Sequence, residues 1–133
     1  MNKKILATAA LLGAVGIILG AFAAHGLKSK VTEESLRVFE TGVRYQMYHA
    51  LFLLFIGTTT AIGLKTKKAL FYLVVLGVVL FSGSIYGLAT NSMSVFDFKV
   101  IGFVTPIGGL MLVLSWVLLL IKFLKNKADI SKN

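Results

Sequence analysis

Four stretches of the chain, residues 5–24, 47–64, 69–90 and 100–121, contain no Lys, Arg, Asp or Glu and are each about twenty residues long. A helix rises 1.5 Å per residue, so about twenty apolar residues match the ~30 Å hydrocarbon layer of a bilayer. Each stretch therefore predicts a membrane-spanning helix. The connections are short: a basic turn over 65–68 and a polar loop over 91–99 that carries Asp97. Sequential neighbours must then pack antiparallel, and no room remains for a separate soluble domain.

Between the first two stretches the pattern changes. Leu36, Phe39, Val43 and Met47 recur at three-to-four spacing beside a charged stripe in which Glu33 precedes Arg37, and Glu40 precedes Arg44, by four residues. That order favours ion pairing on a helix, and Thr32 is placed to cap it. The segment 33–46 reads as a short amphipathic helix at the outer interface, leading into the second span. The expected fold is all-α: a four-transmembrane-helix antiparallel bundle forming one integral membrane domain over 1–133. A disordered tail is expected over 125–133.

Composition agrees. The chain has 133 residues, of which 57% are hydrophobic and 14% charged, whereas a soluble domain carries about 25% charged residues. It has no cysteine, which excludes disulfides, thiolate metal sites and cysteine nucleophiles. The net charge of +9 would suggest nucleic acid in a soluble protein. Here the cations sit between apolar runs and at the chain ends, where they set topology and meet anionic headgroups, so no nucleic-acid partner is expected.

Placing the N-terminus inside puts Lys3, Lys4, Lys65, Lys67, Lys68, Lys122, Lys125, Lys127 and Lys132 on the cytoplasmic side. It leaves Lys28, Lys30, Arg37, Arg44 and Lys99 outside. The bias toward positive residues inside predicts cytoplasmic N- and C-termini.

Small residues at Ala9, Gly13, Gly16, Gly20 and Ala24 share one face of the first span, and Gly83 and Gly87 form a second pair in the third. Such stripes let helix backbones approach closely in lipid, where dispersion packing joins helices. Gly108 and Gly109, in the fourth span, are assigned to packing as well.

The residues that could carry chemistry fall in the outer half of this topology. They are His25, Arg44, Tyr45, His49, Ser82, Tyr86, Thr105 and Pro106. Two histidines without cysteine fall short of a zinc site, so no metal is expected. Ser82 and Tyr86 are i,i+4 neighbours that call for a buried partner. The Gly-x-Ser-x-Gly elbow of a serine hydrolase is absent around Ser82 and Ser84, so no catalytic residue is assigned and no enzyme is expected. Pro106 cannot donate to the Gly102 carbonyl and is expected to kink the fourth span, freeing that carbonyl for Thr105 or a tyrosine.

Taken in order, Gly20-Ala21-Phe22-Ala23-Ala24-His25-Gly26-Leu27, Tyr45-Gln46 with His49-Ala50, Phe81-Ser82-Gly83-Ser84-Ile85-Tyr86, and Thr105-Pro106-Ile107-Gly108-Gly109 with Trp116 resemble a domain-of-unknown-function family of small bacterial membrane proteins. That family includes the YgdD-like and YwdK-like proteins and has eukaryotic relatives. Its commoner first motif looks like Gly-Ala-Phe-Gly-Ala-His-Gly, so Ala23 departs from it. The resemblance covers nearly the whole chain and implies a four-span protein of the bacterial inner membrane, with no substrate, reaction or cofactor attached.

The expected role is a non-enzymatic packing, oligomer-forming or accessory membrane protein. Its partners would be the lipid bilayer and a second copy or another membrane protein. The competing reading is a small transporter or channel component with an outward-facing polar site; small proton-coupled exporters usually place a carboxylate in a span, and none occurs here.

Ala21-Phe22-Ala23 also resembles the small-x-small end of a secretory signal peptide. The uncharged run before it is about twenty residues, longer than the 7–15 of a signal h-region, so retention of the first span is expected. N-terminal sequencing of the mature protein should find no species beginning at Ala24; a dominant one would show that the segment is cleaved.

Overall fold

A computed structural model describes the backbone of residues 1–132 and the side chains of residues 1–125. It is all-helical, with no strand among the described residues. Helix α1, Asn2–Phe22, continues into a π-helical turn, Ala23–Leu27; α2 spans Glu33–Thr58. Helix α3, Leu64–Val78, passes through a second π-helical turn, Val79–Gly83, into α4, Ser84–Ala89. Two 3₁₀ turns, Asn91–Met93 and Phe98–Ile101, lead to α5, Val104–Lys132. Among the described residues, three helical stretches are long and apolar enough to cross a membrane: Asn2–Leu27, Leu64–Ala89 and Phe98–Lys125.

Helix α2 departs from the expected pattern. The amphipathic segment 33–46 and the stretch from Met47 form one unbroken helix, which stops at Thr58 rather than Leu64. The stripe explains the continuity, because Leu36, Phe39, Val43 and Met47 run on into Ala50, Leu53 and Gly57 with no proline between them. The start is fixed by Thr32, whose Oγ1 accepts the Ser35 N–H at 3.1 Å, with Glu33 and Glu34 favourably placed in the first turn. At the other end Thr58 Oγ1 donates back to the Leu54 carbonyl at 2.9 Å, and Thr59 turns extended. The two expected Glu–Arg pairs are not closed. Arg44 Nη2 instead donates to Thr41 Oγ1 at 2.9 Å, a nearer acceptor on the same exposed face.

Pro106 does not kink a span. It falls in the first turn of α5, where its missing N–H would have no helical acceptor in any case. The Gly102 carbonyl accepts the Thr105 backbone N–H at 3.4 Å. The tail expected over 125–133 is drawn into α5 as far as Lys132, and its side chains beyond Lys125 lie outside the described residues.

The helices are joined by two apolar clusters. At the N-terminal end Ile5 and Ala9 of α1 meet Phe52, Leu53 and Ile56 of α2, Leu70 and Val74 of α3, and Leu112 and Leu119 of α5. Toward the other end Ala23 and Leu27 meet Phe39 and Ala89. Along α1 and α2 the contacts run in opposite order: Leu6 lies against Gly57, Met47 against Gly16, and Val43 against Gly20. The two helices are antiparallel.

Glycines decide where backbones approach most closely. A Cβ at Gly108 would collide with the Phe81 nitrogen and lie 2.7 Å from the Leu80 carbonyl carbon and 2.9 Å from the Gly77 oxygen. Helix α5 thus rests backbone-to-backbone on the second π turn. Gly16 and Gly87 admit the side chains of Met47 and Phe98, and Gly20 and Gly109 stand in looser contact with Val43 and Phe81. Gly13 and Gly83, also in the expected packing set, make no close approach within the chain: a Cβ at either would meet nothing within 4 Å. Gly83 is exposed on the π turn, and α2 closes on the glycine face of α1 at Gly16 and Gly20, beyond Gly13.

These contrasts give a direct test. Gly108→Ala forces α5 off the π turn and should destabilise the purified protein by roughly 1–3 kcal/mol. Gly83→Ala should be neutral or stabilising by up to about 1 kcal/mol. Thermal unfolding in detergent separates the two; equal melting temperatures would show that the close approach at Gly108 is unimportant.

Candidate functional site

The polar side chains inside the bundle form a ladder of hydrogen bonds between helices, built around Gln46. This side chain is buried in α2. Its Nε2 donates to the Leu12 carbonyl of α1 at 2.8 Å, and its Oε1 accepts the Tyr86 hydroxyl from α4 at 2.7 Å. The Leu12 carbonyl can only accept, so the amide orientation is fixed by its partners. One glutamine therefore bridges three helices.

Local sequence explains how the bridge is reached. Gly16 leaves room beside Leu12, and a Cβ there would lie 2.6 Å from Met47 Sδ and 3.5 Å from Gln46 Nε2. Gly42 does the same for Tyr86, whose ring would come within 2.7 Å of a Cβ at that position. The ring crosses α2 over Gly42 and meets Gln46 one turn further on. Ser82, fully buried, donates to the Gly42 carbonyl at 2.8 Å. The i,i+4 pair Ser82 and Tyr86 thus docks on the i,i+4 pair Gly42 and Gln46.

Two further rungs tie in α5. Ser84 Oγ and Thr105 Oγ1 share a short hydrogen bond. Buried His49 places Nδ1 2.7 Å from the Tyr45 carbonyl, and its Nε2 lies 3.1 Å from Trp116 Nε1. A carbonyl only accepts and an indole N–H only donates, so His49 is the neutral tautomer protonated at Nδ1. Both ring nitrogens are occupied. Phe52 packs edge-on against the same indole, with ring centroids 4.6 Å apart.

The expected cluster is therefore brought together only in part. Tyr45, His49, Ser82, Tyr86 and Thr105 belong to the ladder or flank it, through the bonds above or through Tyr45 packing edge-on to Phe81 at 5.2 Å. His25 is exposed in the first π turn, and Arg44 and Pro106 are exposed on their helices. Gln46, Gly42, Ser84 and Trp116 were not assigned as site residues from the sequence, although they complete the arrangement. A buried Gln amid apolar neighbours was the available signal, since it demands partners in lipid.

Beside the ladder, a groove of about 310 Å³ opens between α2, the second π turn and α5. Tyr45, His49, Phe81, Gly109, Val113 and Trp116 are among the residues that line it. Its walls are mostly apolar, and its one histidine is already doubly bonded. No group of three or more His, Cys, Asp or Glu able to hold a metal occurs among the described residues.

Both π turns and every rung residue except Leu12 and Trp116 fall within the region that matches a known family. Residues 19–109 match the family described as "Protein of unknown function (DUF423)". The chain belongs to that family. Relatives extend the match over nearly the whole chain. A UPF0382 membrane protein of Staphylococcus haemolyticus is 39% identical over 126 residues, 92% of this chain and 97% of that protein. The UPF0382 membrane protein YwdK of Bacillus subtilis is 37% identical, covering 86% and 94% of the two chains. A Haemophilus influenzae relative is 34% identical, covering 96% and 99%. No solved structure matches. Membership confirms the YwdK-like resemblance and, with three helices apolar enough to span, makes this a membrane protein of a family whose role is unknown.

The ladder predicts non-additive mutations. Gln46→Leu and Tyr86→Phe should each destabilise by roughly 1–2 kcal/mol, as interhelical hydrogen bonds in membranes do. The double variant should cost clearly less than their sum, because each single change already breaks the same bond. A double-mutant cycle on unfolding in detergent measures the coupling, and strict additivity would contradict the bridge. Trp116 is the sole tryptophan, so its indole N–H gives one NMR resonance. His49→Phe should move that resonance and His25→Ala should not.

Proposed function

We propose that the chain is a four-span antiparallel bundle of the bacterial cell membrane, with α2 as the fourth crossing and both termini cytoplasmic. Its role is non-enzymatic: a packing, oligomer-forming or accessory membrane protein whose polar residues hold the helices in register. The observation that carries this reading is the fate of the polar groups. Gln46, His49, Ser82, Ser84, Tyr86, Thr105 and Trp116 all spend their hydrogen-bonding capacity within the chain. No buried side-chain polar atom lacks a partner among the described residues. A catalytic or transport site would hold some of these groups free for a substrate.

The uncharged second half of α2 is short for a span, but the whole helix of 26 residues is about 39 Å long. It reaches across the bilayer with Glu33, Glu34 and Arg37 at the outer headgroups. Leu11, Ile17 and Ile18 on α1 are exposed, a face suited to lipid, a second copy or another membrane protein. The competing reading, a transporter component with an outward-facing site, draws its support from the groove at Tyr45 and Trp116.

The absence of cysteine makes topology easy to test. Single cysteines at Ser29 and Ser94 should react with an impermeant maleimide on intact cells, whereas Thr60→Cys should react only after permeabilisation. If Ser29→Cys and Thr60→Cys label from the same side, α2 does not cross. For the role, His49→Ala and Tyr86→Phe should affect a deletion phenotype only as far as they lower the amount of folded protein. A phenotype lost at full abundance would favour the transporter reading.

A further inference from the structure

A second cavity, about 240 Å³, lies at the opposite end of the bundle from the Glu33 end of α2. Lys65 and Thr66 from the start of α3, Lys122 from α5, and the apolar Ala69 and Leu118 line it. The ladder does not involve it.

Its charge is unbalanced. Lys67, buried next door, donates its ammonium to Asn2 Oδ1 at 3.1 Å. Lys4 lies over the rings of Phe71 and Tyr72, 5.6 and 5.8 Å from their centroids. Among the described residues Lys65 and Lys122 have no such engagement, and they flank the cavity. Of the five acidic residues, Glu33, Glu34, Glu40 and Asp97 belong to the other end of the bundle, and Asp129 lies outside the described side chains. Two cations therefore converge on one space with no carboxylate of the described residues beside them.

The rest of the lining selects among anions. A small soluble anion would be met by polar groups on all sides, whereas here Ala69 and Leu118 continue the wall toward the apolar part of α3 and α5. A charged head with an apolar tail satisfies both halves. We propose that this cavity seats the phosphate head of an anionic phospholipid between Lys65 and Lys122, with the hydroxyl of Thr66 beside it and an acyl chain along Ala69 and Leu118. Assignment to the cytoplasmic leaflet rests on the orientation proposed above; the binding chemistry does not.

Native mass spectrometry of the full chain in detergent, titrated with phosphatidylglycerol or phosphatidylcholine, tests the assignment without reference to orientation. It can therefore fail or succeed independently of the cysteine labelling. The wild type should prefer phosphatidylglycerol. Lys65→Gln with Lys122→Gln should weaken phosphatidylglycerol about thirtyfold, at roughly one headgroup interaction per lysine, and leave phosphatidylcholine unchanged. Lys65→Arg with Lys122→Arg should retain the preference, and Lys28→Gln with Lys30→Gln, removing equal charge at the other end, should leave it intact. Gel filtration establishes that each variant is folded. Three results would overturn the proposal: unchanged binding in the Gln pair, an equal loss in the Lys28 and Lys30 pair, or displacement of the lipid by inorganic phosphate at equal concentration.

Discussion

The arrangement depends on one amide. Gln46 donates to a main-chain carbonyl of α1 and accepts from a tyrosine on α4 while sitting on α2. In a lipid environment an unsatisfied amide costs several kcal/mol, so the three helices are held in the one register that satisfies both ends. Apolar packing alone would tolerate small slides, because leucine and valine faces are alike from turn to turn. The glutamine does not tolerate them. Gly16 and Gly42 are the counterpart of this demand, since a methyl group at either would collide with the neighbours that bring the bridge together.

The two π turns show how the same economy operates on the backbone. Each widens a helix by one residue over a short stretch, and such bulges often occur where side chains must be aimed. The Val79–Gly83 turn lets Ser82 face α2 while Ser84 faces α5, and it presents main chain against which Gly108 can rest. Residues two apart thus serve two different helices. The Ala23–Leu27 turn ends α1 with Ala23 and Leu27 inward and His25 outward.

Much of this was legible in the sequence. Charge-free runs marked three of the helices, because a twenty-residue apolar stretch has few other uses. The motifs that carried the family resemblance proved to be the π turns, the ladder and the approach of α5. What the sequence hid was geometry between elements. The apolar stripe of 36–47 fits an interfacial helix as well as the first half of a long packed one, and only the contacts with α1 distinguish them. Pro106 looked like a kink because the uncharged run began at Val100; the 3₁₀ turn at Phe98–Ile101 delays the helix start to Val104, which leaves Pro106 in its first turn. Gly13 and Gly83 lay on plausible stripes, but periodicity cannot say which side of a stripe a neighbour takes. Gln46 stood in plain view without being weighed for its partners.

The bridge at Gln46 also has a direction in time. Chains emerge from the ribosome N-terminus first, so Leu12 is present when α2 is made, whereas Tyr86 follows forty residues after Gln46. The nitrogen of the amide has its acceptor from the outset, and the oxygen must wait. Until α4 arrives, the α1–α2 hairpin carries one open acceptor, which the second hairpin closes. The residue that fixes the finished register is thus also the one that marks the first half of the protein as incomplete.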